Sequence, residues 1–580
     1  MRNMLSEIIE SAGKATSPQY AIEIYRQFLL EKPQNVVYHA VVHFNLATLL
    51  ESSGDQKSAE DHYRQSLHCM PGFWAPTINL ANILDARGLV SEAIPLFAPA
   101  IDVTTENENR LLLWKNMGRI KENSGDLVGA IDAYASCLAI EPSHPGVFQH
   151  WIHARQKLCD WPLFNTIHPM SILEIAAQAG PLGVMALFDD PFLLLHASKS
   201  WISGHLSSIP PPLRSHSYGH RAKGKKLRIG YISCDLRQHV VGFLVQDLFL
   251  MHNRDKFEIY GFDRSIDDQS AFRNRLLSTF DHVVPLHHRD EVSCAQAICD
   301  CEIDILIDMM GLTNGALPGI IARKPAPVQI SYLGFLGPSG LDTMDYILCD
   351  RFVIPPENTA FYTEKPLYMP RCFQINYPWR TTQTMSRESC SLPPDVFVFC
   401  VHNNSYKLNP EMIARWCRIL TRVPKSILWV LEWNKTMSEN IKKECRKHGI
   451  GEDRLVFAPP ALPDIYLARF SCADLYLDCS PYNAGGTCAD VIWSVPVLTC
   501  PGKTYVSRMA GSILKAMDLP ELVVSSWLEY EEAAVRYATH PDELAAVYGR
   551  LNRKSSFFDT AMFVKEWETI LEKVADDHHL

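Results

Sequence analysis

No two cysteines of this chain stand in C-x-x-C spacing, although 17 are present. Cys159, Cys234, Cys299, Cys301, Cys479 and Cys488 are scattered, which excludes a zinc framework or a disulfide scaffold and points to reduced, buried thiols. No G-x-G-x-x-G and no G-x-x-x-x-G-K-[ST] follows a strand, which argues against a dinucleotide oxidoreductase and a P-loop nucleotidase. Long apolar runs are missing too. The most apolar stretch, residues 183–197, is interrupted by Asp189 and Asp190 and is too short to span a bilayer. The first twelve residues carry Glu7 and Glu10 and lack the apolar centre of a secretory signal. There is no excess of positive charge. A net charge of -10 and a pI near 6.1 argue against a nucleic-acid partner. The expectation is a cytoplasmic protein with neither membrane nor nucleic-acid contacts. Its 580 residues, 47% hydrophobic and 21% charged, suffice for three or four globular domains.

An internal repeat is the first positive signal. Ala59, Ala93 and Ala130 each precede an aromatic by four residues (Tyr63, Phe97, Tyr134) and a small residue by seven (Ser66, Ala100, Cys137). Each follows a small residue by twelve (Ala47, Ala81, Gly118) and a glycine by five (Gly54, Gly88, Gly125). The steps are 34 and 37 residues. Small residues let two helices approach, the glycine ends the first helix, and the aromatic fills the gap to the next hairpin. Pro71 and Pro142 stop the second helices. Ala21, Tyr25, Phe28 and Pro33 form a degenerate half-repeat before these. The pattern resembles tetratricopeptide repeats over residues 1–157. Such an arm is either a stabilising collar or a concave surface that recruits a polypeptide.

A helical linker follows over 158–225, ending in a loop rich in proline and basic residues. From Lys226 the rhythm changes. Short apolar runs at 227–233, 257–262, 303–309, 328–333 and 346–349 alternate with amphipathic stretches. A second set follows a break at 377–394, with runs at 396–401, 427–431, 455–458, 475–477 and 497–499. This is a βαβ rhythm. It predicts two lobes with parallel sheets, residues 226–385 and 386–580, and a ligand cleft between them. The fold class is therefore an α-superhelix followed by two Rossmann-like lobes.

Four segments fall at predicted C-terminal strand ends, where open α/β sheets bind ligands. Ser233–His239 brings His239 to the cleft. Asp308–Gly315 and Leu333–Gly340 offer glycines for close backbone approach, or ordinary tight turns. His402–Lys407 supplies a lysine that suits a phosphate, or a solvated loop. In Asp478–Trp493 a small-residue turn containing Tyr482, Gly485 and Gly486 leads into a helix near Thr487. Free N–H groups there suit a diphosphate, and Asp490 one turn on suits a ribose hydroxyl. Together these ask for a nucleotide diphosphate between two lobes and do not specify the transfer.

At these residues the chain resembles the protein O-linked N-acetylglucosamine transferase family, which includes the SPINDLY proteins. The segments Lys226-Leu-Arg-Ile-Gly-Tyr-Ile-Ser-Cys-Asp235, Arg323-Lys-Pro-Ala-Pro-Val-Gln329, Met344-Asp-Tyr-Ile347 and Pro501-Gly502 with Ser507-Arg508 carry the likeness, along with the repeats and the Cys159-Asp160-Trp161 junction. The resemblance implies a GT-B fold and inverting transfer of N-acetylglucosamine from UDP-N-acetylglucosamine to Ser or Thr of an acceptor protein. It implies neither a metal nor another cofactor. By position, His239 matches the histidine beside acceptor and donor sugar, and Lys407 the lysine that neutralises the departing diphosphate. Asn404 and Tyr406 match the same pocket loop, Thr487 the diphosphate threonine, and Asp490 the ribose aspartate. Thr313, Leu333 and Gly334 match loops on the sugar side, and Arg469 the nucleotide pocket. Asp308 is an alternative proton relay. The chain departs from the animal pattern at Gly485-Gly486, which replaces a His-Thr pair, and at Leu312, Pro463 and Tyr466. Tyr406 favours the N-acetylglucosamine branch. Competing readings are another donor on the same scaffold (UDP-glucose, GDP-fucose or a nonulosonic sugar), a non-catalytic repeat scaffold, and a nucleotide-sugar epimerase.

Overall fold

A computed structural model describes residues 4–31, 35–144, 146–164, 170–213, 225–377 and 383–580. Pro33, residues 214–224 of the basic loop and residues 378–382 of the break between the strand sets lie outside the described residues. The described chain forms two compact units, one up to Arg155 and one from Gln156 onward.

In the first unit antiparallel helices pair as the repeat predicts: Val36–Ser52 with Gln56–Cys69, and Asn107–Asn123 with Leu127–Ile140. Gly54, Gly88 and Gly125 lie at φ of +88°, +74° and +86°, the left-handed conformation that ends a helix cheaply only at glycine. The repeated alanines and aromatics are fully buried. Ser66 Oγ donates to the Ala40 carbonyl at 2.7 Å, and Cys137 Sγ to that of Leu111 at 3.8 Å, the same contact in another repeat. Likewise Tyr63 donates to Glu51 and Tyr134 to Glu122, at 2.7 and 2.8 Å. The middle repeat departs. Pro95 and Pro99 split its second helix into Val90–Ala93, a 3-10 turn Ile94–Leu96 and Phe97–Val103. Ala21, Tyr25 and Phe28 are buried on helix Pro18–Leu30, which packs with helix Met4–Gly13. The predicted half-repeat is thus a complete helical pair.

The second unit holds two parallel sheets. The first contains β1 (Leu227–Ser233), β2 (Phe257–Asp263), β3 (His282–Pro285), β4 (Ile305–Asp308), β5 (Val328–Ser331), β6 (Tyr346–Cys349) and β7 (Lys365–Tyr368), in the order 3-2-1-4-5-6-7. The second contains β8 (Phe397–Val401), β9 (Ser426–Leu431), β10 (Leu455–Ala458), β11 (Leu475–Leu477) and β12 (Val497–Leu498), in the order 10-9-8-11-12. All ten anticipated runs are strands. The sequence reading missed only the outermost strands of the first sheet, β3 and β7. Strand order reverses between β1 and β4 and between β8 and β11, so each sheet has one switch point.

Two features tie this unit together. The linker helices Ile172–Leu187 and Pro191–His205 belong to it, and Asp189 between them accepts from the Lys503 and Thr504 amides and the Ser507 hydroxyl at 2.7–3.0 Å. A Cβ on Gly502 would lie 2.2 Å from the Asp189 carboxylate, so that glycine is required by the clasp. The final helix, Thr560–Asp577, departs from the 386–580 division. Its Phe563, Val564, Trp567 and Leu571 lie in the core of the first lobe, and Trp567 Nε1 donates to the Tyr231 hydroxyl at 3.1 Å.

Candidate functional site

The anticipated site residues converge on the two switch points. His239 follows β1, Asp308 ends β4, and Leu333 and Gly334 follow β5. Lys407 follows β8, and the turn from Asp478 to Thr487 follows β11. The lobes meet here: a Cβ built on Gly486 would stand 3.2 Å from Cγ1 of Val240, the residue after His239.

On the second lobe the turn is scaffolded from below. The buried Asp478 carboxylate accepts from the Cys479 and Ala484 amides and the Thr499 hydroxyl at 2.7–2.8 Å. Burial raises its pKa to about 6, and Lys407 acts in the opposite sense. Asn483 is held by its side-chain donation to the Cys479 carbonyl at 2.7 Å. Lys407 Nζ donates to the Asn483 carbonyl at 3.1 Å and stands 3.9 Å from the centroid of the Tyr482 ring. Desolvation lowers its pKa, and among the described residues no carboxylate forms an ion pair with it. The turn ends in helix Gly486–Val491, whose first N–H groups have no partner within the helix.

The loop carrying Asn404, Tyr406 and Lys407 is braced by the Cys159 junction. Ser405 Oγ donates to the Lys157 carbonyl at 2.9 Å, and Cys159 Sγ to the Ser405 carbonyl at 3.8 Å. Tyr406 stacks edge-on against Tyr482, with ring centroids 5.9 Å apart. Further along the cleft, burial raises the pKa of Tyr466, with Asp490 acting in the same sense, and its ring stands edge-on to Phe470 at 4.9 Å between centroids. Arg469 is 4% exposed and donates to the Pro459 carbonyl at 2.8 Å; among the described residues its Nε and second terminal nitrogen have no hydrogen-bond partner. Burial lowers its pKa.

On the first lobe, His239 caps helix Val240–Val245. Two groups compete for its Nδ1: the Val241 amide at 3.3 Å and the Asp235 carboxylate at 3.4 Å. With the proton on Nδ1 facing Asp235, Nε2 is left as an acceptor; with Nδ1 accepting from Val241, Nε2 is a donor. Burial lowers the pKa of His239, against the opposite effect of Asp235. Asp308 is buried, and its carboxylate accepts from the Met310 and Gly311 amides at 2.9 and 3.2 Å, which shapes the glycine turn. Thr313 donates to the Met310 carbonyl at 2.8 Å within the same turn. Leu333 has a φ of +70°, and a Cβ on Gly334 would fall 2.0 Å from the Met309 carbonyl oxygen.

Two residues escaped the sequence reading. Asp235 lies four positions before His239, a spacing that could have been noticed. Gln374 is 3% exposed, its Nε2 has no hydrogen-bond partner among the described residues, and its Oε1 is 3.7 Å from a Cβ built on Gly485. Its only sequence signal is an amide inside the apolar stretch Cys372–Ile375.

Residues 211–380 and 375–567 match the sequence family described as Glycosyl transferase family 41. The chain is 31% identical over 456 residues to an Arabidopsis thaliana protein named probable UDP-N-acetylglucosamine–peptide N-acetylglucosaminyltransferase SEC, covering 74% of this chain and 46% of that one. It is 27% identical to the Caenorhabditis elegans UDP-N-acetylglucosamine–peptide N-acetylglucosaminyltransferase, covering 65% and 43%. The chain thus spans somewhat under half the length of these relatives. Its fold is that of a solved structure of a Thermobaculum terrenum O-GlcNAc transferase mutant. The TM-score is 0.68 and the identity 22%, covering 94% of this chain and 98% of that one.

Proposed function

From the premise that this chain belongs to glycosyl transferase family 41, we propose that it moves N-acetylglucosamine from UDP-N-acetylglucosamine to Ser or Thr hydroxyls of proteins, with inversion. The observation that carries this reading is the contact of Lys407 with Asn483, which sets a cation that has no carboxylate ion pair among the described residues against the turn running into Gly485, Gly486 and Thr487. A diphosphate bound at that turn would supply the missing negative charge.

In this reading the acceptor oxygen attacks the anomeric carbon while the bond from that carbon to the diphosphate oxygen breaks. Charge gathers on the leaving diphosphate, where Lys407 and the backbone N–H groups of the turn stabilise it. The acceptor proton passes to His239 Nε2 in the tautomer whose Nδ1–H faces Asp235. Charge stabilisation rests on the lysine and the amides, so the scheme needs no metal. Asp490 would hold the ribose, and Arg469 with Tyr466 the base. With Tyr466 where the family pattern has a histidine, the base end of this pocket offers a phenol 5.4 Å from the Arg469 guanidinium, measured to its ring centroid.

The repeat arm supports an acceptor-recruiting role. Asn82, Asn116, Asn123, Gln149, Lys115 and Arg119 line a cavity of about 480 Å³ that is rich in side chains able to bond a peptide backbone. The reaction belongs in the cytoplasm, as suits a chain whose 17 cysteines are all unpaired. The test is binding of a panel of nucleotide sugars, including UDP-glucose and GDP-fucose, followed by intact-mass analysis of an acceptor protein. A gain of one N-acetylhexosamine from UDP-N-acetylglucosamine is expected. A chain that binds no nucleotide would be a scaffold instead.

A further inference from the structure

Cys390 and Cys472 stand with their sulfurs 3.7 Å apart. A disulfide requires about 2.0 Å, a gap that side-chain rotation can close when the sulfurs already touch. Cys390 is half-buried, on the 3-10 turn Glu388–Cys390 of the segment between the two sheets. Cys472 is buried, on the 3-10 turn Phe470–Cys472 that directly continues the Arg469 helix, Pro463–Arg469. The two segments are already pinned together. Met385 N donates to Ser471 Oγ, Cys472 Sγ to the Met385 carbonyl, and Arg387 Nε to the Cys472 carbonyl, each at 3.2 Å.

We propose that Cys390 and Cys472 are a peroxide-sensitive thiol pair whose reversible disulfide weakens nucleotide binding at Arg469. In a reducing compartment a disulfide between close thiols is a transient, signalling one. The accessible Cys390 reacts first: its thiolate attacks one peroxide oxygen, the O–O bond breaks, and a sulfenic acid and hydroxide result, the hydroxide taking up the proton the thiol released to give water. The Cys472 sulfur then displaces the hydroxyl from that sulfenic acid, forming the S–S bond and releasing a second water. Two electrons pass from the two sulfurs to the peroxide. Burial pushes the Cys472 thiol up to about 12, which leaves the first reaction with peroxide to Cys390. The new bond removes the donation from Cys472 to Met385 and draws the turn behind Arg469 toward the inter-sheet segment.

The effect on nucleotide rests on the function proposed above; the cross-link does not. The full chain is treated with hydrogen peroxide and mapped by peptide mass spectrometry without reduction, beside Cys390→Ser and Cys472→Ser. Expected is a peptide joining Cys390 to Cys472 that dithiothreitol cleaves and that both variants lack. UDP affinity, measured by calorimetry, should fall about fivefold on oxidation, recover on reduction, and stay constant in Cys390→Ser. Absence of the joined peptide at doses that oxidise Cys69, Cys234 or Cys301 overturns the proposal. A joined peptide with unchanged UDP affinity overturns its link to Arg469. A chain that cross-links yet binds UDP in neither state supports the thiol pair and refutes the nucleotide reading.

Discussion

Lys407→Met separates what the site needs for folding from what it needs for transfer. The side chains are similar in length, and methionine needs no partner in a desolvated pocket. The folded chain loses one charged hydrogen bond, to the Asn483 carbonyl at 3.1 Å, worth about 1.5–3 kcal/mol. It also sheds the cost of burying a cation without a carboxylate, so the net change in stability should stay within about 1 kcal/mol. Catalysis gains nothing in exchange. A preorganised charge aimed at a leaving group contributes about 3–4 kcal/mol, so kcat should fall about 100- to 1000-fold with a smaller change in KM. A second readout follows from Asp478, whose pKa stands at about 6 and is held down by Lys407. Its folded-state pKa exceeds the unfolded value, so it binds its proton more tightly when folded, and stability is lost as pH rises through the folded pKa. Removing Lys407 raises that pKa further, so the variant's deficit in melting temperature should grow between about pH 5 and about pH 8. Steady-state transfer to a protein acceptor and thermal melts at the two pH values decide the matter. Transfer within about threefold of the parent would refute the assignment of Lys407 to the leaving group.

Asp235→Asn should lower kcat at least about tenfold and shift the acidic limb of the pH–rate profile downward, because Asp235 raises the pKa of His239; an unmoved limb would sever the pair. Gly334→Ala should cost about 3 kcal/mol or more, because its Cβ meets backbone at 2.0 Å, while Gly486→Ala, whose Cβ meets only Val240 Cγ1 at 3.2 Å, should melt near the parent; equal melting temperatures would contradict the close approach at Gly334. In the arm, His43 and His62 bring their Nδ1 atoms to 2.9 Å, and burial with neighbouring positive charge takes His43 from 6.5 to about 4. His39 and Arg26 oppose protonation there, and Asp55 and Asp61 favour it. The unfolded ring binds its proton more readily, so the stability the neutral pair contributes is full above pH 6.5 and is lost as pH falls toward about 4. His43→Leu should flatten this part of the acid melting curve, and an unchanged slope would count against the pair.

The repeats were legible because each position does one job again and again: Tyr63 with Glu51 and Tyr134 with Glu122 are one contact written twice. The sheets were legible because buried parallel strands are short continuous apolar runs. Edge strands β3 and β7 escaped because an edge tolerates what a centre rejects, here Pro285 and Pro366 with exposed or charged neighbours. At the site, residues fixed by their own loop, such as Lys407 and Thr487, could be anticipated from the strand each follows. Gln374 could not. Its approach to Gly485 joins segments 111 positions apart in the chain, and no local pattern encodes that meeting. The destination of the helix Thr560–Asp577 was hidden for the same reason, since amphipathicity announces a buried face without naming the surface that buries it.

Because that helix returns to the first lobe, the polypeptide passes between the lobes twice, once outward after β7 and once homeward before Thr560. A single nick in the outward passage would leave both halves tethered, and neither half could be expressed alone without stripping Trp567 from Tyr231. The second unit is therefore a closed circuit, and any opening of its cleft must flex two crossings together.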